Sequence, residues 1–272
     1  MTFQFFPLQV HGHRLGTPWG TRLLLLAMVL LSLPACFELV DPTPLYLSLV
    51  EPRPHQLVTS LLVHPYLPYL VVNLVFVHLV GSLVEGAVGT RAFLVLGAAI
   101  GLAASGGPLL LVDPALLPES ELFDGTMFPG ASGLILGLLA AGVLLEPTAE
   151  VTLMAKQVLR SGSVISLELP VVAVAVLLVQ VGFALVDPDP ASVTTGYLPA
   201  VAAGLVLAML GLRLGWLDCD GWDWLSQRRK RRAEAAGGEL DEPGPRPTSC
   251  PRCSAALPEG AALCPVCGMQ VS

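Results

Sequence analysis

Six apolar stretches, at about residues 21–40, 66–86, 92–112, 131–146, 169–186 and 194–216, dominate this chain of 272 residues. A helix needs roughly 20 mostly apolar residues to cross a bilayer, so the pattern predicts an all-α membrane protein with six spans. The composition agrees: 54% of residues are hydrophobic, 13% are charged and the mean hydropathy is +0.72. That is too apolar for a soluble chain with one core, and the C-terminal part is too polar to be membrane throughout. The first stretch lies behind Arg14 and Arg22, like the charged start of a signal peptide, but it continues past Pro34 without a small-x-small cleavage site. It is expected to be a retained span.

Orientation follows from the lysines and arginines, which stay on the cytoplasmic side. Arg14, Arg22, Arg91, Lys156, Arg160 and Arg213 all fall on one side of the six stretches. The other side holds Asp41, Glu51, Asp113, Glu119, Glu121, Asp124, Asp187 and Asp189, with Arg53 as its basic residue. Both termini are therefore expected in the cytoplasm, and the location is expected to be the bacterial inner (plasma) membrane. The net charge of -7 sums loops facing opposite compartments, so it carries no information about an acidic or nucleic-acid partner, and no nucleic acid is expected.

The composition divides the chain into an N-terminal cytoplasmic segment (1–20), a membrane domain (21–216), a linker (217–249) and a short C-terminal module (250–272). The linker opens with Trp222, Trp224 and the basic run Arg228-Arg229-Lys230-Arg231-Arg232. Such a run suits a topology anchor at the headgroup level and contact with membrane lipids. From Glu234 to Thr248 the linker is rich in Gly, Pro and acid and is expected to be flexible. In the last module, Cys250-Pro251-Arg252-Cys253 and Cys264-Pro265-Val266-Cys267 form two C-x-x-C knuckles separated by ten residues. Four thiolates at this spacing predict one tetrahedral, structural zinc in a zinc ribbon. A module this short has no useful core, so the metal must supply its folding free energy, on the order of 10 kcal/mol. The alternative, two disulfides, is disfavoured in a reducing cytoplasm. Cys36 and Cys219 have no such partners, and Cys36 is expected to pack as a small apolar residue.

Within the membrane domain, Gly130-Ala131-Ser132-Gly133 opens the fourth stretch, behind an acidic external loop, with Gly137 one turn on. In and around the second stretch come, in order, His64, Tyr69, Asn73, Gly81, Glu85 and Gly89, followed by Phe93; the sixth carries Ala200 and Gly204. Taken in order, over most of residues 20–216, this pattern resembles the rhomboid family of intramembrane serine proteases. The resemblance implies a six-helix bundle. It implies a serine at the start of span 4 as nucleophile, a span 6 histidine as base, and a histidine and an asparagine of span 2 for the oxyanion. On the matching positions, Ser132 stands at the nucleophile, Asn73 at the oxyanion asparagine and His64 at the outer histidine of the span 2 pattern. Two positions depart: Tyr69 stands where the second span 2 histidine belongs, and Tyr197 where the base histidine belongs. No histidine follows Val80, so no shift within span 6 supplies one.

A serine hydroxyl is a weak nucleophile without a base in hydrogen-bond reach, and a phenol with an ordinary pKa near 10 stays protonated at neutral pH. Losing base assistance costs about 10²–10⁴ in rate, and losing one oxyanion donor about 10²–10³. His64, beside Pro65, is a candidate substitute base or a structural hydrogen-bonding residue, and His78 is expected to pack within the bundle. Gly130-Ala131-Ser132-Gly133 also has a purely mechanical reading, because small residues let membrane helices approach closely. Ala200, Gly204 and Ala208 continue that pattern in span 6, so spans 4 and 6 are expected to pack together. Glu85 is expected to make a capping or interhelical hydrogen bond.

Three functions stay open. The favoured one is a non-proteolytic relative that binds transmembrane segments of client proteins, with the zinc ribbon recruiting a cytoplasmic protein. The second is an active serine endopeptidase using Ser132. The third, a transporter, has only Glu85 to suggest a pathway.

Overall fold

The computed structural model describes residues 3–11, 17–112, 127–128, 131–157, 163–186, 190–217, 219 and 223–235. Gly130, the acidic external loop from Asp113 to Asp124, and the zinc-ribbon cysteines Cys250, Cys253, Cys264 and Cys267 lie outside the described residues.

The fold is mainly helical. Three helices are long and apolar enough to cross a membrane: α1 (Trp19–Cys36), α3 (Leu67–Val88) and α4 (Thr90–Leu111). A short helix, α2 (Gln56–Leu62), lies between α1 and α3. Three further apolar helices follow: α5 (Ser132–Leu145), α6 (Leu169–Val186) and α7 (Pro190–Arg213). A polar helix, α8 (Trp224–Ala235), comes last among the described elements.

The centre of the bundle is α5. Its sequence is apolar on every side, and Leu134 through Gly142 are all buried together with Leu145, as expected for a helix surrounded by others. Lipid gives no hydrophobic drive for helix association, so membrane helices rely on close packing of small residues. Gly204 shows how close: a Cβ placed there would overlap the Gly137 carbonyl oxygen, and one on Gly137 would lie 2.7 Å from the Ala200 carbonyl oxygen. The expected packing of α5 against α7 is thus met at backbone level, with Ala200 and Ala208 both fully buried beside it.

These contacts set a common direction. Tyr69 near the start of α3, Ser132 at the start of α5 and Tyr197 in the first half of α7 share one end of the bundle. The opposite end is tied by Glu85. Its carboxylate accepts the backbone N–H groups of Gly20 at 2.8 Å and Thr21 at 2.7 Å. It also accepts the hydroxyls of Thr21 at 2.8 Å and Thr90 at 2.6 Å. Glu85 therefore supplies the missing cap for two first-turn amides of α1 while joining α1, α3 and α4, as expected from the sequence. Gly89, with φ of 80°, makes the turn from α3 into α4, a conformation that favours glycine.

Four features differ from the sequence expectations. The segment between α1 and α3, for which the sequence reading gave no elements, is a folded cap. Leu47–Ser48 (β2) pairs antiparallel with Met127–Phe128 (β3), and Gln56 accepts the Arg53 N–H at 2.9 Å and donates to the Pro44 carbonyl at 3.3 Å. Ser105 of α4 donates to the Leu57 carbonyl at 2.7 Å, fastening α2 to the bundle. The N-terminal segment contains a strand, β1 (Phe3–His11), which pairs with β4 (Glu150–Gln157), itself paired with β5 (Ser163–Glu168). The base of the β4–β5 hairpin joins the bundle: Leu169 N–H donates to the Ala149 carbonyl at 2.8 Å, and Ala149, Val151 and Leu169 lie in the main apolar cluster.

The third difference is His78, which is exposed rather than packed inside. It falls in a π-helical turn, Val77–Gly81, inside α3. The extra residue in such a turn rotates the following positions, so Val77, Leu79 and Val80 are buried and His78 faces outward. Last, the start of the linker is the helix α8. Asp223 accepts the Ser226 N–H at 3.0 Å and the Ser226 hydroxyl at 2.8 Å, and Arg, Lys and Gln are good helix formers.

Candidate functional site

Ser132 begins α5, so its side chain stands at the mouth of the central helix, half-buried. Two phenols meet it. The Tyr69 hydroxyl lies 3.1 Å from the Ser132 hydroxyl, and the Tyr197 hydroxyl hydrogen-bonds with both Ser132 and Tyr69. The structure thus brings together Tyr69, Ser132 and Tyr197 from three helices. Asn73, one turn below Tyr69, is buried, and its amide donates to the Tyr69 backbone carbonyl at 2.9 Å. In this arrangement one N–H of the Asn73 amide is engaged by its own helix.

The cluster opens outward, since Tyr69 is 44% exposed. Each of its three hydroxyls can donate one hydrogen bond and accept others. Together they can hydrogen-bond a backbone carbonyl or amide presented at the mouth of α5. The first-turn amides of α5 add donors, because Ala131 gives the helix no side-chain cap and the first N–H groups of a helix have no internal partner.

His64 stands behind this cluster, fully buried. Its Nδ1 lies 3.2 Å from the Leu62 carbonyl, which can only accept, so Nδ1 carries the proton and donates. Nε2 is then the free lone pair, and it accepts the Ala131 N–H at 3.3 Å. Burial pushes the His64 imidazole down to about 4, keeping it neutral. The lone pair a base would need is thus already used to fix the residue preceding Ser132. Geometry gives His64 a positioning role at the entrance of α5.

Sequence reasoning missed Ser32, which holds His64 from α1. Ser32 accepts the His64 backbone N–H at 3.0 Å and donates to the Leu62 carbonyl at 2.9 Å. The one signal available was a polar residue amid the leucines of the first apolar stretch. Cys36 packs beside the α1–α3 apolar cluster as expected, and its thiol also donates to the His64 carbonyl at 3.2 Å. Among the described residues, no group of three or more His, Cys, Asp or Glu side chains is placed to hold a metal.

The family model described as Rhomboid domain matches residues 51–218, which contain the whole cluster together with α2 through α7. No curated protein matches the chain.

Proposed function

Because the chain belongs to the rhomboid family, we propose that it is a six-span membrane protein that binds transmembrane segments of client proteins without cutting them. One observation carries this reading: the partners of Ser132 are two phenols, Tyr69 and Tyr197. Catalysis by serine needs a base that removes the hydroxyl proton, and the nearby imidazole of His64 already accepts the Ala131 N–H. Without base assistance the rate falls by about 10²–10⁴. What remains is an outward-facing set of hydroxyls that hydrogen-bonds the backbone where a client helix unwinds.

The six helices α1 and α3–α7 are the six spans on this reading. Their basic ends lie on the cytoplasmic side of the bacterial inner membrane, with both termini there. Cys250, Cys253, Cys264 and Cys267 hold a structural zinc. Four thiolates in two C-x-x-C knuckles match its tetrahedral preference and leave no open coordination position. The ribbon then serves as the docking point for a cytoplasmic protein partner.

The alternative, an active endopeptidase with Ser132 as nucleophile, draws on a specific observation too. Ser132 sits at the uncapped start of α5, whose first-turn amides are suited to stabilising an oxyanion. Cleavage of a transmembrane reporter in reconstituted vesicles, compared between the natural chain and Ser132→Ala, separates the two. Product that disappears in the alanine variant overturns the binding reading. Photocrosslinking of the same reporter to both proteins, with equal background cleavage, supports it.

A further inference from the structure

The end of the bundle opposite Ser132 carries a second set of features that client binding does not use. Three tryptophans, Trp19 at the start of α1, Trp216 just after α7 and Trp224 at the start of α8, belong to segments at that end. Trp19 starts α1 beside the Glu85 tie, and Trp216 follows α7; they are 65% and 47% exposed. Two of the rings carry a guanidinium: Arg22 lies 5.4 Å from the Trp19 ring and Arg228 lies 5.1 Å from the Trp224 ring. Tryptophans paired with arginines at one end of an apolar bundle mark the headgroup level of a membrane protein. Trp224 begins α8, so that helix starts at this level.

The first turn of α8 is held in place. Asp223 is buried and caps the helix through the Ser226 amide and hydroxyl, and residues 224–227 are half-buried. Beyond this anchor, Arg228, Arg229, Lys230, Arg231 and Arg232 are all exposed. At 1.5 Å per residue these five charges occupy only about 7.5 Å of helix. Like charges three and four positions apart, such as Arg228 with Arg231 and Arg232, repel one another, so a helix of this composition is favoured by a nearby anionic surface.

We propose that α8 is a docking surface for anionic phospholipid, with Arg228–Arg232 contacting headgroup phosphates of the leaflet next to Trp224. The tryptophan level chooses lipid over nucleic acid as the occupant. At that depth the basic run lies within a Debye length of the membrane surface, about 8 Å at physiological salt, while a polynucleotide would have to compete with the bilayer for the same side chains. Each basic residue near such a surface contributes about fivefold to binding.

The test uses the full-length protein in nanodiscs of phosphatidylcholine alone and of phosphatidylcholine with about 30% phosphatidylglycerol, a composition that gives the surface negative charge. Amide hydrogen exchange is read across Trp224–Ala235. The expected result is exchange slower by about tenfold or more in the anionic discs, returning toward the neutral-disc rate at about 1 M salt, where the Debye length is about 3 Å. A variant with Arg228→Gln, Arg229→Gln, Lys230→Gln, Arg231→Gln and Arg232→Gln should exchange alike in both discs. The salt series on the natural chain stands without that variant should it fail to fold. Equal exchange of the natural chain in both compositions overturns the proposal. So does protection that appears only on adding an RNA oligonucleotide.

Discussion

The hydroxyl of Tyr69 stands 3.1 Å from the hydroxyl of Ser132, joining the start of α3 to the start of α5. Tyr197 completes the same cluster from α7. If the absent base is what silences Ser132, Tyr197→His should produce reporter cleavage roughly 100- to 10,000-fold above the natural chain. That product must vanish when Ser132→Ala is added. A Tyr197→His protein that folds and binds the reporter but never cuts it would place the deficit elsewhere, with Asn73 or Tyr69 the next candidates.

The buried imidazole of His64 makes stability depend on pH. Its pKa falls from 6.5 to about 4 on folding because burial disfavours the cation. Between those values the unfolded chain binds the extra proton, so stability rises with pH. The contribution is complete above 6.5 and is lost as pH falls toward about 4. The difference approaches roughly 3 kcal/mol at 1.36 kcal/mol per unit. Protonation would also turn Nε2 into a donor facing the Ala131 N–H. Melting temperatures in detergent, measured from pH 7 to pH 4 for the natural chain and for His64→Asn, check this. Parallel profiles would show that His64 does not titrate with folding.

The proposed zinc ribbon can be checked directly. The full-length protein should contain one zinc per chain, and Cys250→Ser should lower metal content measured by atomic emission. Structural zinc in such modules contributes on the order of 10 kcal/mol to folding, so a strong chelator should make residues 250–272 protease-sensitive. Melting of the apolar bundle should be unaffected, because its packing runs through α5 and α7. Zinc-free protein with oxidised cysteines would favour the disulfide alternative.

Legibility differed between parts of the chain for physical reasons. Apolar length announces a helix in lipid directly, and the small residues Gly137, Ala200 and Gly204 announced the α5–α7 contact that the backbone confirms. Ser132 and Tyr197 could be paired because both lie just inside the same face. The cap around α2 was hidden, since its stability comes from single hydrogen bonds such as Thr59 to the Leu45 carbonyl at 2.8 Å, which leave no periodic signature. Strands β1, β4 and β5 were hidden for another reason. Their alternation, as in Val151-Thr152-Leu153, was overshadowed by the basic residues that marked the segment as a cytoplasmic loop. The outward turn of His78 depends on one π-helical turn, which regular helical spacing does not anticipate.

Glu85 should behave as a structural carboxylate. It accepts four hydrogen bonds from Gly20, Thr21 and Thr90, and Gln would keep the shape while turning one oxygen into a donor aimed at donors. Hydrogen bonds to charged groups contribute about 1.5–3 kcal/mol and a stranded donor costs a further 1–3, so Glu85→Gln should destabilise by roughly 3 kcal/mol. Thermal melting in detergent reads this. If Glu85 instead served a transport pathway, vesicle uptake of a solute would fall while the melting temperature held.

The last prediction concerns the joint beneath Ser132. A side chain on Gly204 would overlap the Gly137 carbonyl oxygen, a backbone atom that cannot rotate away, so α7 would have to move off α5. Overpacking at such a contact costs about 1–3 kcal/mol and sometimes more, which predicts a clear fall in melting temperature for Gly204→Val. The same displacement carries Tyr197 away from Ser132, because both residues ride on these two helices. Client crosslinking through the hydroxyl cluster should therefore weaken together with stability in Gly204→Val. In Gly97→Ala, on α4, an added Cβ meets nothing within 4 Å, so both readouts should stay near those of the natural chain. If Gly204→Val melts lower yet crosslinks normally, client recognition does not run through the Tyr69–Ser132–Tyr197 cluster, and the binding surface must lie on another face of the bundle.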